Sequence, residues 1–379
     1  MSRSHPTALT PDHRLRTLNL SLIRHLSATE YLQFDQGFIA ISTMLPFLQQ
    51  LLLHPTVMLT RRAMSSIADT ETALSLVHLT GIHVPASTQP RARASLEDPL
   101  TNLIRCCINL RHIELLGTGL DVDSDAEEDP GTSTPQGINL PYLQSMAVLH
   151  VPYCPLLRTL ANSELPSLRA LTISLYTSAP HTDSTKFFEA HASKLTGLTL
   201  FTAQTWPPTS THAPPDLLLK TPNLVYLSLP SSAHRLIAPA IKSIKHTIES
   251  TPPASPSPPA SDGIPASSSP SAFLASSSPP LSSSPMRARS ASQDRISLSP
   301  HPLRTLSIPR PTPELLSRVV EPIFKELREV HIREVRYLRR GMGKSAEGAG
   351  SSASMTEWRW RLARRGVRVI DALGKDGPN

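Results

Sequence analysis

LPYLQSMAV (140–148) and LPSLRALTI (165–173) align without a gap at a spacing of 25 residues. Their shared skeleton is LxxLxL, with other aliphatic residues admitted. It recurs as Leu15-Leu18-Leu20, Leu48-Leu51-Leu53, Leu110-Ile113-Leu115, Leu168-Leu171-Ile173, Leu195-Leu198-Leu200 and Leu224-Leu227-Leu229. It returns as Leu303-Leu306-Ile308 and Leu327-Val330-Ile332, with looser copies at Leu74-Val77-Leu79 and Leu143-Met146-Val148. The last apolar pair of each unit has period 2, which puts both side chains on one face of a short strand. Stretches with helical character precede the units, as in 185–193 and 313–327, where Thr312 suits a cap and Pro313 the first turn. One strand and one helix cannot bury their apolar faces alone. Stacked units can, forming a continuous core between a parallel inner sheet and a helical outer layer. The expected fold class is therefore α/β, a solenoid of such units. Leucine-rich amphipathic helices of an α-solenoid are the competing explanation. Around 143–160 a second register, Met146, Leu149, Val151, Cys154, Leu157 and Leu160, competes with the one starting at Leu143.

Composition divides the chain. It has 379 residues, 38 of them Pro and 3 Cys, with a formal net charge of +7 and only 39% hydrophobic residues. From Thr251 to Pro300 there are 17 Ser, 11 Pro and 7 Ala, too little apolar area to offset the entropy of ordering. Asp121, Asp123, Asp125, Glu127, Glu128 and Asp129 crowd a second, smaller insert, where like charges repel and stay solvated. Residues 1–14 read as a flexible N-terminus and 15–246 as the solenoid, with an acidic loop at 121–137. Residues 247–300 read as a disordered insert. Residues 301–379 read as C-terminal repeats and a closing helix and strand, with a flexible loop at 341–356. Two adjacent cysteines (Cys106, Cys107) and a distant third (Cys154) exclude a disulfide framework and a four-cysteine zinc site. Residues 1–30 lack a secretory leader, and no run of roughly 18 or more apolar residues could span a membrane. The expected location is cytoplasmic or nuclear, without membrane attachment.

The repeats resemble leucine-rich repeats of the irregular kind found in F-box/leucine-rich-repeat proteins. The likeness covers residues 10–245 and 300–375, and the piece from Trp358 through GVRVID (366–371) resembles the closing helix and strand of such proteins. That family implies a leucine-rich-repeat solenoid acting as substrate receptor of a cullin-type ubiquitin ligase, with a ligase adaptor and a cullin as partners. No F-box module, a helical segment opening with a Leu-Pro pair, is recognisable in residues 1–75. A repeat scaffold with no ubiquitin link and a basic nucleic-acid-associated protein are the alternatives.

Motifs for chemistry are absent or defective. GMGKS (341–345) has Leu338 where a phosphate loop needs its first Gly. DVDSDAEEDPGT (121–132) has Ala126 in place of the glycine, and Thr132 in place of the bidentate Glu, of a calcium loop. The 15 histidines form no HExxH pair, and no GxSxG elbow occurs. No enzyme activity and no cofactor or metal is expected, and the cysteines read as small apolar filling. Arginines 333, 336, 339, 340, 359, 361, 364, 365 and 368 make the C-terminal region basic, but aromatics are scarce and Glu326, Glu329 and Glu334 interleave the first cluster. Nucleic acid is therefore the less favoured partner. Ser292, preceded by Arg287 and Arg289, and Ser124, followed by Asp125 and Glu127, are candidate phosphorylation sites.

Function is expected on the strand face opposite the leucines, the concave face of such a solenoid, which would take a protein partner. Its positions read Thr17 and Asn19, His112 and Glu114, Ala170 and Thr172, Gly197 and Thr199, Tyr226 and Ser228, Thr305 and Ser307, then Glu329, His331 and Arg333. The candidate binding residues are His112, Glu114, Tyr226, Glu329, His331 and Arg333. Tyr226 and Arg333 are the favoured anchors, as Tyr and Arg are enriched at hot spots.

Overall fold

A computed structural model describes residues 15–20, 34–40, 44–84, 98–117, 137–175, 182–201, 214, 216–230, 301–309, 313–320, 323–334, 352–372 and 374. The expected N-terminal tail, the Ser/Pro insert, the acidic loop up to residue 136 and residues 341–351 lie outside them. Met1–Lys245 and Pro300–Asn379 group into one compact unit; the other unit, His246–Ser299, also lies outside the described residues.

Eleven strands among the described residues form one sheet. They are β1 (Thr17–Leu20), β2 (Gln50–Leu53), β3 (His78–His83), β4 (His112–Leu116), β5 (Ser145–Leu149) and β6 (Ala170–Ile173). After them come β7 (Gly197–Leu200), β8 (Tyr226–Ser228), β9 (Thr305–Ile308), β10 (Glu329–Ile332) and β11 (Arg368–Ile370). All pairs are parallel, and the strands lie side by side in chain order. Between them run α1 (Arg61–Ala68), α2 (Glu71–Ser75), α3 (Pro99–Cys106), α4 (Pro155–Ala161), α5 (Asp183–His191), α6 (Leu217–Lys220), α7 (Pro313–Val319) and α8 (Ser352–Ala363). This is the α/β arrangement of parallel sheet and helices that the alternating pattern implies.

Register explains the core. Leu18, Leu51, Leu79, Ile113, Met146, Leu171, Leu198, Leu227, Leu306, Val330 and Val369 stand opposite one another across all eleven strands. Leu103, Leu157, Phe187, Phe188 and Leu316 from the helices join nine of them in one buried cluster, against which the half-buried Leu18 and Val369 pack at the two ends. Helix starts follow local chemistry. Thr60 accepts from the Ala63 N–H (3.1 Å), Asp98 from the Thr101 N–H (3.0 Å) ahead of Pro99, and Thr182 from the Thr185 N–H (3.2 Å).

The leading edge of the sheet, where the strands begin, repeats itself bond for bond. The first leucine of a unit donates its N–H to the carbonyl three residues earlier at Leu48, Leu110, Leu143, Leu168, Leu195, Leu224 and Leu327. The residue before a unit's first buried leucine, Leu76 in the unit of β3, then reaches the previous unit. Ser75 donates to the Pro46 carbonyl (2.6 Å), Asn109 to Leu74 (2.7 Å), Ser167 to Pro141 (2.5 Å) and Asn223 to Ser193 (2.8 Å). These carbonyls would otherwise face a neighbouring unit without a partner.

Several expectations need correction. The copy at Leu74-Val77-Leu79 is out of register: Leu74 is exposed, whereas Leu76, Leu79 and Ile82 are buried. A bulge in β3, where Leu79 and Ile82 pair with Ile113 and Leu115, hides the true copy: one extra residue moves its last aliphatic from position 81 to Ile82, so the unit reads Leu76-Leu79-Ile82. Gly81 occupies the bulge at φ +76°, and a Cβ there would lie 2.1 Å from the Leu53 carbonyl oxygen. At 143–160 the register from Leu143 holds, with Met146 and Val148 opposite Ile113 and Leu115, while Val151, Cys154, Leu157 and Leu160 fill the core behind them. The helix expected over 185–193 starts earlier, at Asp183, because Thr182 caps it. The one expected over 313–327 stops at Val319, shortly before Pro322, whose ring disfavours helical geometry in the preceding residue. Residues 352–356, read as part of a loop at 341–356, are the first residues of α8.

Candidate functional site

Parallel in-register pairing turns the face opposite the leucines into side-chain rows. One row runs Thr17, Gln50, His78, His112, Ser145, Ala170, Gly197, Tyr226, Thr305, Glu329 and Arg368. The next holds Glu114, Ala147, Thr172, Thr199, Ser228, Ser307 and His331 from β4 to β10. All six residues expected to form the binding face lie on or just past these strands. They do not converge: β4 and β8 are four strands apart, about 19 Å, and β8 and β10 about 10 Å.

Most of these side chains are engaged within the sheet. Glu114 Oε2 accepts from the Gly81 N–H (3.2 Å) and so holds the β3 bulge. His112 Nδ1 shares a hydrogen bond with Ser145 Oγ (2.7 Å), and its ring centroid lies 6.1 Å from that of His78. Burial depresses the pKa of His112; nearby Glu114 opposes this and His78 adds to it. Glu329 bonds His331 Nε2 through Oε2 (3.1 Å) and the Arg368 guanidinium through Oε1. The His331 bond, then Arg368, lowers the Glu329 pKa below the usual carboxylate value. Arg333 donates through Nη2 to the Leu229 carbonyl, bracing β10 against the end of β8. Tyr226 differs. It is 38% exposed, and its row neighbours are Gly197 and Thr305, so its ring stands beside a low floor of small residues.

The C-terminal arginines are also largely occupied. Arg361 lies over the Trp358 ring (4.8 Å) and Arg364 over Trp360 (5.7 Å). Arg365 donates to the carbonyls of Val319 and Phe324. Arg336, Arg339, Arg340, Ser124 and Ser292 lie outside the described residues. The cysteines behave as core filling. Cys107 and Cys154 are buried, and desolvation pushes both thiols up to about 12. Among the described residues no group of three or more His, Cys, Asp or Glu could hold a metal ion, and no helix is long and apolar enough to cross a membrane.

Two open hollows lie on the leading edge. An open groove of about 540 Å³ is lined by Arg16, Phe47, Gln49, Leu74, Ser75, Val77, Asn109, Arg111 and Tyr142. A second, of about 750 Å³, is lined by Glu164, Pro166, Arg169, Ser193, Lys194, Thr196, Asn223, Val225 and Pro302. The backbone at this edge is continuous: Gln49 donates to the Arg16 carbonyl (2.8 Å), Arg111 to Val77 (2.8 Å), Arg169 to Gln144 (2.9 Å), Arg304 to Val225 (2.9 Å) and Arg328 to Arg304 (2.8 Å). Thus Arg16, Arg111, Arg169, Arg304 and Arg328 occupy equivalent positions in one row. All five are exposed, and none forms an ion pair with a described residue. Reading outward-facing strand positions alone misses them. Their signal is a Leu-Arg dipeptide opening five units, at 15–16, 110–111, 168–169, 303–304 and 327–328.

No family model, no curated protein and no solved structure matches this chain.

Proposed function

We propose that the chain is a non-catalytic protein-recognition subunit, built as a leucine-rich-repeat solenoid and related to the F-box/leucine-rich-repeat substrate receptors of cullin-type ubiquitin ligases. The observation that carries this reading is the pairing of all eleven strands in chain order and parallel register. Each unit thereby adds one residue to each side-chain row, giving a broad surface of rigidly spaced groups. That suits a protein or peptide partner better than an enclosed small molecule. Tyr226, exposed over a small-residue floor, is the favoured anchor, because its ring offers contact area at low entropic cost. A nucleic-acid role through the C-terminal arginines has less support, since Arg361, Arg364, Arg365 and Arg368 are engaged within the chain.

Affinity purification of the full chain from its native cells, followed by mass spectrometry, tests the proposal. A cullin and its adaptor recovered near stoichiometry would support the ligase-receptor reading. Their absence beside another stable protein partner would leave a repeat scaffold without a ubiquitin link.

A further inference from the structure

We propose that the leading edge of the sheet is a second interaction surface, which takes an extended polypeptide segment in which pairs of acidic residues alternate with pairs of large apolar ones, so that each face of the segment carries both. Arg16, Arg111 and Arg169 recur along β1, β4 and β6, three strand steps and then two apart. At about 4.8 Å per step these are separations of about 14 and 10 Å, together the length of about seven extended residues. Between and beside them stand large apolar side chains from four consecutive units. Phe47 (49% exposed), Leu74 (49%) and Tyr142 (53%) line one groove with Arg16 and Arg111, an exposed apolar patch rimmed by guanidinium groups, and Ile108 (45%) is exposed in the unit between those of Leu74 and Tyr142. Such a patch marks an interaction site more strongly than scattered exposed leucines do.

Charge selects the partner. Among the described residues, the groove between Arg16 and Arg111 is lined by no Asp or Glu, and neither guanidinium forms an ion pair there. A carboxylate can bind each in bidentate fashion. A single-stranded nucleic acid would also bring negative charge, but it wants a ring to stack under successive bases. Phe47 and Tyr142 are three strand steps apart, about 14 Å, and the aliphatic Leu74 and Ile108 between them stack no base. Aliphatic and aromatic patches alternating with arginines fit the side chains of an acidic, apolar peptide.

Fluorescence anisotropy with the full chain at near-physiological salt tests this. The probe is a labelled synthetic peptide of about ten residues in which Glu-Glu pairs alternate with Leu-Phe pairs, long enough to span the three arginines and with both kinds of side chain on each face. One comparison peptide keeps every Glu and has Gly in place of Leu and Phe; another probe is oligothymidylate of matching length. The expected result is saturable binding of the first peptide and about tenfold weaker binding of the glycine version. The double variant Arg16→Gln/Arg111→Gln loses about tenfold, the effect of roughly 1.4 kcal/mol. Tyr142→Ser, which leaves both charges in place, also weakens binding, and Tyr226→Ala does not. Equal binding of the glycine peptide, tighter binding of oligothymidylate, unchanged affinity in the arginine variant or no peptide binding would each overturn the proposal. The result is independent of the recovery of adaptor and cullin, because it concerns the edge alone.

Discussion

The sheet face and the leading edge are made by the same units, yet they use their polar side chains differently. On the face, Glu114 holds the Gly81 bulge, His112 holds Ser145, Glu329 holds His331 and Arg368, and Arg333 holds the Leu229 carbonyl. On the edge, small polar residues such as Asn109 and Asn223 stitch neighbouring units, while the five arginines project without an ion-pair partner among the described residues. Position within a repeat therefore separates structure from availability. A charged side chain in the middle of a parallel sheet has neighbours about 4.8 Å away on both sides and is drawn into their bonding. One at the start of a strand has them mainly through its backbone.

The largest effect expected from this contrast is at the bulge that Glu114 holds. Gly81→Ala places a Cβ 2.1 Å from the Leu53 carbonyl oxygen in a left-handed conformation, and is expected to cost about 3 kcal/mol or more in urea unfolding. Glu114→Ala leaves the Gly81 N–H without its acceptor and is expected to lose about 1–2 kcal/mol. Were Glu114→Ala instead to leave stability unchanged and abolish partner binding, the face would be a binding surface in its own right, and the contrast would break.

Acid sharpens the same contrast through the buried and half-buried imidazoles. Burial lowers the pKa of His83, His112, His150, His191 and His301; His191 and His301 each bond a carbonyl of the preceding unit through Nε2. The folded state thus binds protons less readily than the unfolded chain. Their contribution is intact above the unfolded value of about 6.5 and is lost as pH falls below it, with a slope of up to about 1.4 kcal/mol per pH unit for each histidine. Unfolding midpoints measured from pH 7.5 down to 5 should fall, and His191→Gln should flatten the decline. The smallest stability effect belongs to the edge. Arg16→Gln and Arg111→Gln are expected to shift stability by less than about 0.5 kcal/mol, since exposed side chains with no ion-pair partner among the described residues carry little of it.

Much of the parallel architecture was legible because a period-2 apolar pair recurs along the chain, and nine of the eleven strands fall on those pairs or on the looser copy at Leu143, while the copy read for β3 is out of register. The closing strand was legible from GVRVID. The bulge was not, because the inserted residue puts Gly81 where the third aliphatic after Leu76 and Leu79 would stand, so the true unit carries no LxxLxL signature and Leu74-Val77-Leu79 reads as a copy instead. The candidate site was legible in position but not in state. Alternation locates His112, Glu114 and Arg333 on or beside the outward rows, whereas their partners, Ser145, Gly81 and Leu229, come from other units that only the register brings near. The arginine row escaped because it precedes the alternating positions, although the Leu-Arg dipeptide was there to be counted.

The contrast between face and edge meets its most direct test in hydroxyl-radical footprinting of the full chain, with and without the Glu/Leu/Phe peptide, read by mass spectrometry. Phe47 and Tyr142 report the edge and Tyr226 the face, and all three are exposed enough to react in the free protein. The account predicts that the peptide protects Phe47 and Tyr142 and leaves Tyr226 as reactive as before. Protection of Tyr226 with Phe47 and Tyr142 unchanged would contradict it.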